Sequence, residues 1–344
     1  MTKVQGGSRQ KTQMKSTIHN VYSVYSSASG PLRLRAFVCD NRVLSMQIEL
    51  KAGPNDNNRR LDRILRKALP DHSLSLIHRL LRQGKVLVNG KVAAPDDRVQ
   101  AGSIIQIESL LTSIKYKVNE KTIPPTPLPG IIWRGCGIIV FNKPAGLATH
   151  GLTSLDVLVN EHLANTLPPS LSFKPGPLHR LDKPTSGAIA FSESIDGARL
   201  FSRLLHEHRL VKTYLAIVEG HVSGRETWQD ELVRDTNVQK TFATSGNGAR
   251  NAITQVSPVF ANSRYSLIEA RIITGRTHQI RAQAAAHGHP LAGDRKYGGL
   301  RLPGESGFFL HAWKIEFNKN LIVAPLPELF LSRINALFGQ KFTQ

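Results

Sequence analysis

The sequence predicts an α+β protein in two folded parts, a small helix–hairpin module followed by a larger strand-rich region. Three observations predict it. An amphipathic stretch at 59–69 is followed within about fifty residues by a second helix, a hairpin and a strand. Four prolines, Pro124, Pro125, Pro127 and Pro129, then keep the chain extended. From Gly130 onward, strands suited to antiparallel pairing alternate with helices. A chain of 344 residues is long enough for two domains.

Residues 1–45 are expected to form a disordered basic segment. The first 35 carry six basic residues and no acidic one, and they lack the apolar core of a signal peptide. A transit peptide or an over-long translated start has the same composition. The small module is placed at 46–108. In RRLDRILRKAL, Leu61, Ile64, Leu65, Ala68 and Leu69 fall on one helical stripe, with Arg63 and Lys67 mainly off it, and Pro70 stops the helix. A second helix starts at Ser73 or Ser75 as N-cap and ends at Gly84. Asn89-Gly90 between two β-prone runs marks a type I′ hairpin, and Ile104–Ile107 is the last strand. Between Arg59 and Arg98 stand ten basic and four acidic residues.

A Pro-rich linker is placed at 109–129 and the larger domain at 130–344. Its expected elements are a buried strand within 137–146, a helix over 156–163 and a strand after Gly187. A helix over 195–210 and strands over 212–220 and 266–273 follow. Then come a helix from the 274–281 segment to Gly288, a strand over 308–317 and a closing helix over 327–338.

The net charge of +20 attracts polyanions, of which nucleic acid is the commonest. Two cysteines, Cys39 and Cys136, argue against a disulfide scaffold and fit a reducing, cytoplasmic setting. There is no CxxC, no HExxH, no P-loop and no GxGxxG after a strand, so no metal or nucleotide cofactor is expected. No apolar run approaches the ~18 residues of a membrane span.

Six segments occur in order along 130–330: NKPAG (142–146), HRLDKPTSG (179–187), KTYLAIVEG (212–220), TGRTHQIR (274–281), GHPLAGDRKYG (288–298) and LHAWKIEF (310–317). Together they resemble the RluA family of RNA pseudouridine synthases. The stretch LIHRLLRQGKVLVNGK resembles the S4-like RNA-binding domain. The resemblance implies a small S4-like αα-β RNA-binding domain followed by a mixed, mainly antiparallel curved-sheet catalytic domain that isomerises uridine to pseudouridine in RNA. It implies Asp182 as the catalytic carboxylate, Arg281 as its partner and Tyr214 as the active-site tyrosine against the base. Arg180 matches the residue that fills the place of the flipped nucleotide. Arg63, Lys67, Arg79, Arg82 and Lys85 are expected on RNA phosphates.

The reaction breaks ribose C1′–uracil N1 and joins C1′ to C5, so it needs an ionised carboxylate and no redox cofactor. Asp182 serves whether it meets C1′ or removes the C2′ proton. The domain combination favours large-subunit ribosomal RNA over tRNA as substrate, and a monomer is expected. His179, Thr185, Ser186, Gly187, Asp294 and Tyr297 are read as structural. The segment 234–244 follows the family only loosely and is expected not to touch the chemistry. A non-catalytic RNA-binding protein is opposed by intact Asp182, Tyr214 and Arg281. A glycosidase-like hydrolase lacks an evident second carboxylate.

Overall fold

The computed structural model describes residues 21–25, 32–39, 42–109, 127–164, 166–246, 248–302 and 307–342, with side chains from Gln47 onward except at Ser109. It divides into two units, 1–120 with 168–173, and 121–167 with 174–344.

In the first unit the strands β1 (Val21–Tyr25), β2 (Leu32–Cys39) and β3 (Arg42–Lys51) precede the module. Next come β4 (Arg59–Arg60), α1 (Leu61–Ala68), α2 (Leu74–Arg82), β5 (Val86–Val88), β6 (Lys91–Val92), β7 (Arg98–Val99) and β8 (Ile104–Ser109). The sheet order is β1-β2-β3-β8-β5-β6. Leu61, Ile64 and Leu65 of α1 and Ile77 and Leu81 of α2 pack on Ile48, Leu50, Ile105 and Ile107. Ser73 is the N-cap, accepting from Leu76 N at 3.2 Å. Asn89 and Gly90 take φ of 51° and 78°, as the type I′ turn demands.

Disorder over 1–45 is corrected where that range is described. Three antiparallel strands continue the module's sheet, and the alternation Leu32-Arg-Leu-Arg35 that favours such pairing stands in the sequence. Residues 1–20, and the prolines at 124 and 125 of the expected linker, lie outside the described residues. A short strap, 168–173, also belongs to this unit. Buried Asp56 gathers it, accepting from Leu171 N (2.9 Å), Ser172 N (3.0 Å), Ser170 Oγ (2.8 Å) and Ser172 Oγ.

The second unit opens with β9 (Ile131–Gly135), β10 (Ile138–Lys143), α3 (Leu155–Ala164), β11 (Ser186–Ser192), α4 (Ile195–His206) and β12 (Val211–Glu219). It continues with β13 (Glu226–Asp235), β14 (Lys240–Ala243), β15 (Arg250–Ala261), β16 (Tyr265–Ile272) and α5 (Gln279–Ala286). It ends with β17 (Leu310–Phe317), β18 (Asn320–Val323) and α6 (Glu328–Phe338). The sheet runs β14-β13-β15-β16-β12-β17-β11-β10-β9, with β18 beside β17.

Both faces of this sheet are covered. Along β12, Tyr214, Ala216 and Val218 join the cluster of Phe141, Phe191, Leu155 and Ile280. The alternate Leu215 and Ile217 join Trp313 and Phe330. That is why β12 carries few solvated positions. Every pairing is antiparallel except β11 with β17, where Ser186 faces His311 and Gly187 faces Ala312. Gly187 has φ of 109°, and a Cβ there would lie 2.3 Å from Ala312 O, so only glycine fits this junction. The expected mixed, mainly antiparallel α+β architecture is the one observed.

Candidate active site

Asp182 sits on the loop that enters β11, and local hydrogen bonds hold that loop from below. Thr149 Oγ1 donates to Leu181 O at 2.9 Å, and Thr185 N donates to Asp182 O at 3.0 Å. Lys143 is wholly buried. Its ammonium donates to Pro144 O (2.9 Å), Leu147 O (2.7 Å) and Lys183 O (3.2 Å). Burial pushes its pKa down to about 8, with the Asp182 charge acting the other way. At the loop's far end Ser186 Oγ donates to His311 Nδ1 at 2.8 Å, and His311 Nε2 donates to Ala324 O at 3.1 Å. His179 is structural as expected: its Nε2 accepts from Ala190 N at 3.0 Å, and its ring stacks on Phe201. Thr185 Oγ1 is buried without a hydrogen-bond partner among the described residues.

Around Asp182 the structure brings together residues from distant parts of the chain. Arg281, on the first turns of α5, donates from Nη1 to Asp182 Oδ2 at 2.9 Å. The same guanidinium donates from Nε to Asp294 Oδ2 at 2.6 Å and from Nη2 to Asp294 Oδ1 at 2.9 Å. Its flat faces are covered by Tyr297, 4.9 Å to the ring centroid, and Phe308, 4.3 Å. Burial opposes the Arg281 charge, but the hydrogen bonds and charges of Asp294 and Asp182 outweigh it and raise its pKa. The guanidinium is thus a permanent cation fixed in one orientation. Asp182 keeps 24% of its side chain exposed, and its Oδ1 has no hydrogen-bond partner among the described residues.

Tyr214 and Leu181 line the same cleft, with Arg180 and Arg276 at its mouth. Arg180 is exposed and donates to Thr277 Oγ1 at 3.3 Å. Tyr214 is only 7% exposed. Burial first, then the Asp182 charge, push its phenol well above the ordinary value, so it stays protonated at neutral pH. Proton removal by a standing phenolate is therefore disfavoured. The tyrosine is suited to packing on a base and to passing a proton only in concert.

Three features add to or correct the reading from the sequence, in which Asp294 is structural, His278 has no role and 234–244 stays clear of the chemistry. Asp294 holds Arg281 by two hydrogen bonds and so acts directly on the partner of Asp182. His278 lies with Nε2 3.6 Å from Asp182 Oδ2. Its Nδ1 accepts from Tyr297 OH at 2.8 Å and faces the Arg234 guanidinium, which can only donate, at 3.4 Å. The ring proton therefore stands on Nε2, toward Asp182. Burial pushes the pKa of His278 down to about 4; the Asp182 charge raises it and those of Arg281, Arg234 and Lys296 lower it. Third, the segment 234–244 does reach the site. Arg234 faces His278, while Thr241 N donates to Tyr297 OH at 2.9 Å and Thr241 Oγ1 to Thr277 O at 3.0 Å. The expectation that it stays clear of the chemistry is corrected. Strand pairing of β13 with β14 carries these side chains across, which a residue-by-residue match does not show.

Arg63, Lys67, Arg79 and Arg82 are exposed on α1 and α2, and Lys85 is half-buried at the turn into β5. They belong to the first unit, and the Asp182 group to the second. Among the described residues no group of three His, Cys, Asp or Glu could hold a metal ion. The hydrolase reading needs a carboxyl free to act as acid. Asp294 is 2% exposed with both oxygens held by Arg281.

A family model described as RNA pseudouridylate synthase matches residues 137–286, and an S4 domain model matches 59–105. Ribosomal large subunit pseudouridine synthase D of Neisseria meningitidis serogroup B is 33% identical over 270 residues, covering 77% of this chain and 69% of the relative. The chain belongs to the RNA pseudouridylate synthase family. Ribosomal large subunit pseudouridine synthase C of Pasteurella multocida is 31% identical over 298 residues, covering 81% of this chain and 88% of the relative. Human RNA Pseudouridylate Synthase Domain Containing 1 and 4 share the fold of the synthase, each with a TM-score of 0.51. The first is 23% identical and covers 64% of this chain and 94% of its own; the second is 22% identical, at 60% and 92%. The synthase is therefore an isomerase with an S4 domain.

Proposed function

We propose that the protein isomerises specific uridines of large-subunit ribosomal RNA to pseudouridine, with Asp182 as its catalytic carboxylate. The observation that carries the reading is Asp182 itself. One oxygen is bound by a permanent guanidinium, and the other is unengaged beside Tyr214 and Arg180 in an open cleft. The names of the relatives support ribosomal RNA as the substrate.

A target uridine inside a stem must first leave the stack, at a cost of a few kcal/mol. Arg180 at the mouth of the cleft can stack in the vacated place and donate hydrogen bonds there. Asp182 then meets the sugar with a geometry set by Arg281, either at C1′ or at the C2′ proton. Both routes use the ionised carboxylate. Once C1′ is joined to C5, the C5 proton leaves, with Tyr214 packed against the base. Arg63, Lys67, Arg79, Arg82 and Lys85 hold backbone phosphates and position the RNA without reading its sequence.

The isomerisation has no net redox change and forms its new bond within one nucleotide, which supports action without a cofactor. Two cysteines in 344 residues support a reducing, cytoplasmic setting.

The test is chemical mapping of pseudouridines in total RNA from cells with and without the gene. Sites in the large-subunit RNA should vanish with the gene and return with the wild-type protein, but not with Asp182→Asn. An unchanged pseudouridine map would overturn the reading.

A further inference from the structure

Beside the Asp182 cleft lies a groove of about 330 Å³. Arg180, Arg234, Arg250 and Arg276 line it with Gly275 and Thr277, and no acidic residue is among the described lining residues. Two of the arginines are held lightly, Arg180 by Thr277 Oγ1 at 3.3 Å and Arg276 by Asn251 O at 3.1 Å. Their remaining N–H groups are left for a ligand.

Under Gly275 lies a second, independent feature. Lys212 of β12 is 7% exposed, and its ammonium makes no hydrogen bond or ion pair among the described residues. A Cβ placed on Gly275 would meet one neighbour within 4 Å, Lys212 Nζ at 3.6 Å. The ammonium therefore ends against a lining residue that has no side chain. Burial pushes it down to about 8. Its charge is also felt by His179, which burial already pushes down to about 3. A buried ammonium with no counter-charge is costly, and the described residues offer it none. An anion seated in the groove would supply one.

Lys212 stands two residues before Tyr214 on the same face of β12, about 7 Å along the strand. That offset is on the order of one nucleotide of extended backbone. We propose that Lys212, reached across Gly275 and flanked by the groove arginines, is a phosphate subsite. It takes the RNA phosphodiester adjoining the uridine held at Asp182. The inference deepens the functional reading above and rests on RNA being the ligand. In this arrangement the phosphate completes the charge balance of the buried lysine only when RNA is bound. Lys212 is thus a binding residue, one nucleotide away from the reacting atoms.

The test is a salt titration of poly(U) binding by the full-length chain, paired with thermal melting of the free protein. Lys212→Met should weaken binding about tenfold at fixed salt, the size of one charged hydrogen bond. It should also reduce the slope of log K against log salt by about 0.7, one single-strand phosphate contact. The free variant should melt no lower than the parent, because an uncompensated buried charge has gone. Gly275→Leu leaves the lysine in place and fills the space above it, and should show the same loss of slope. An unchanged slope in both variants, or a lower melting point for Lys212→Met with unchanged slope, would mark Lys212 as a structural lysine and end the proposal. If wild-type poly(U) binding shows the Lys212 contribution while deleting the gene alters no pseudouridine, the activity reading fails and the subsite stands.

Discussion

Arg281 serves two carboxylates with one guanidinium, and the division of labour is visible in its hydrogen bonds. Asp294 takes two of them and is almost fully buried; Asp182 takes one and keeps an oxygen in the cleft. Removing one partner of a buried ion pair leaves an uncompensated charge, at a cost of about 3–5 kcal/mol. Asp294→Ala should therefore lower stability by that order in urea unfolding. In the milder Asp294→Asn, the loosened guanidinium should depress kcat more than KM, because what is lost is the orientation of Asp182 and not RNA contact. Equal changes in both parameters would contradict this. His278, the residue that caps the N-terminus of α5, adds an Nε2–H facing the same carboxylate. His278→Phe should reduce kcat, and His278→Gln, which keeps a donor, should restore part of it; a glutamine variant no better than phenylalanine would remove the donor from the account.

At the scale of elements, the parallel junction of β11 and β17 positions the catalytic loop. Ser186 and Gly187 end that loop and begin β11, and His311 of β17 fastens Ser186 from the other side. Gly187→Ala combines a 2.3 Å approach to Ala312 O with a left-handed φ of 109°. Overpacking and backbone strain of this kind each cost about 1–3 kcal/mol. The expected outcome is a lower melting temperature together with loss of activity, since the strand can move away only by carrying the Asp182 loop with it. Full activity in a stable alanine variant would show that the junction does not govern the loop. In the first unit the matching test is local: Ser73→Ala removes the α2 cap and should cost about 1 kcal/mol.

Over the whole molecule, the buried histidines couple folding to pH. Burial pushes His179 down to about 3 and His278 and His311 down to about 4, from an ordinary 6.5. The unfolded chain takes up these protons near pH 6.5, while the folded chain declines them until about pH 4. The stability of the neutral, buried rings is thus complete above pH 6.5 and is lost as pH falls through the folded values. Each contributes about 1.4 kcal/mol per pH unit inside that window. Urea midpoints should fall between pH 7 and 5, and His311→Asn should flatten the dependence. The same slope in variant and parent would rule out His311 as a source.

The sequence by itself determined most of the architecture and the centre of the site. Hydrophobic periodicity marked α1 and α2, Asn89-Gly90 marked the hairpin, and Asp182, Arg281 and Tyr214 were legible because each stands inside a contiguous motif. Where the chain pairs at long range, the sequence was silent. Strands β1 to β3 extend a sheet that the basic composition of 1–45 concealed, since composition reports solvation and not partners. The structure alone decided that Asp294, 13 residues beyond Arg281, turns back to hold it. It also decided that Arg234 of β13 reaches the histidine beside Asp182, and that Thr241 of β14 reaches the tyrosine bonded to that histidine. A motif records the residues that neighbour each other along the chain. The field at a carboxylate is set by the residues that neighbour it in space.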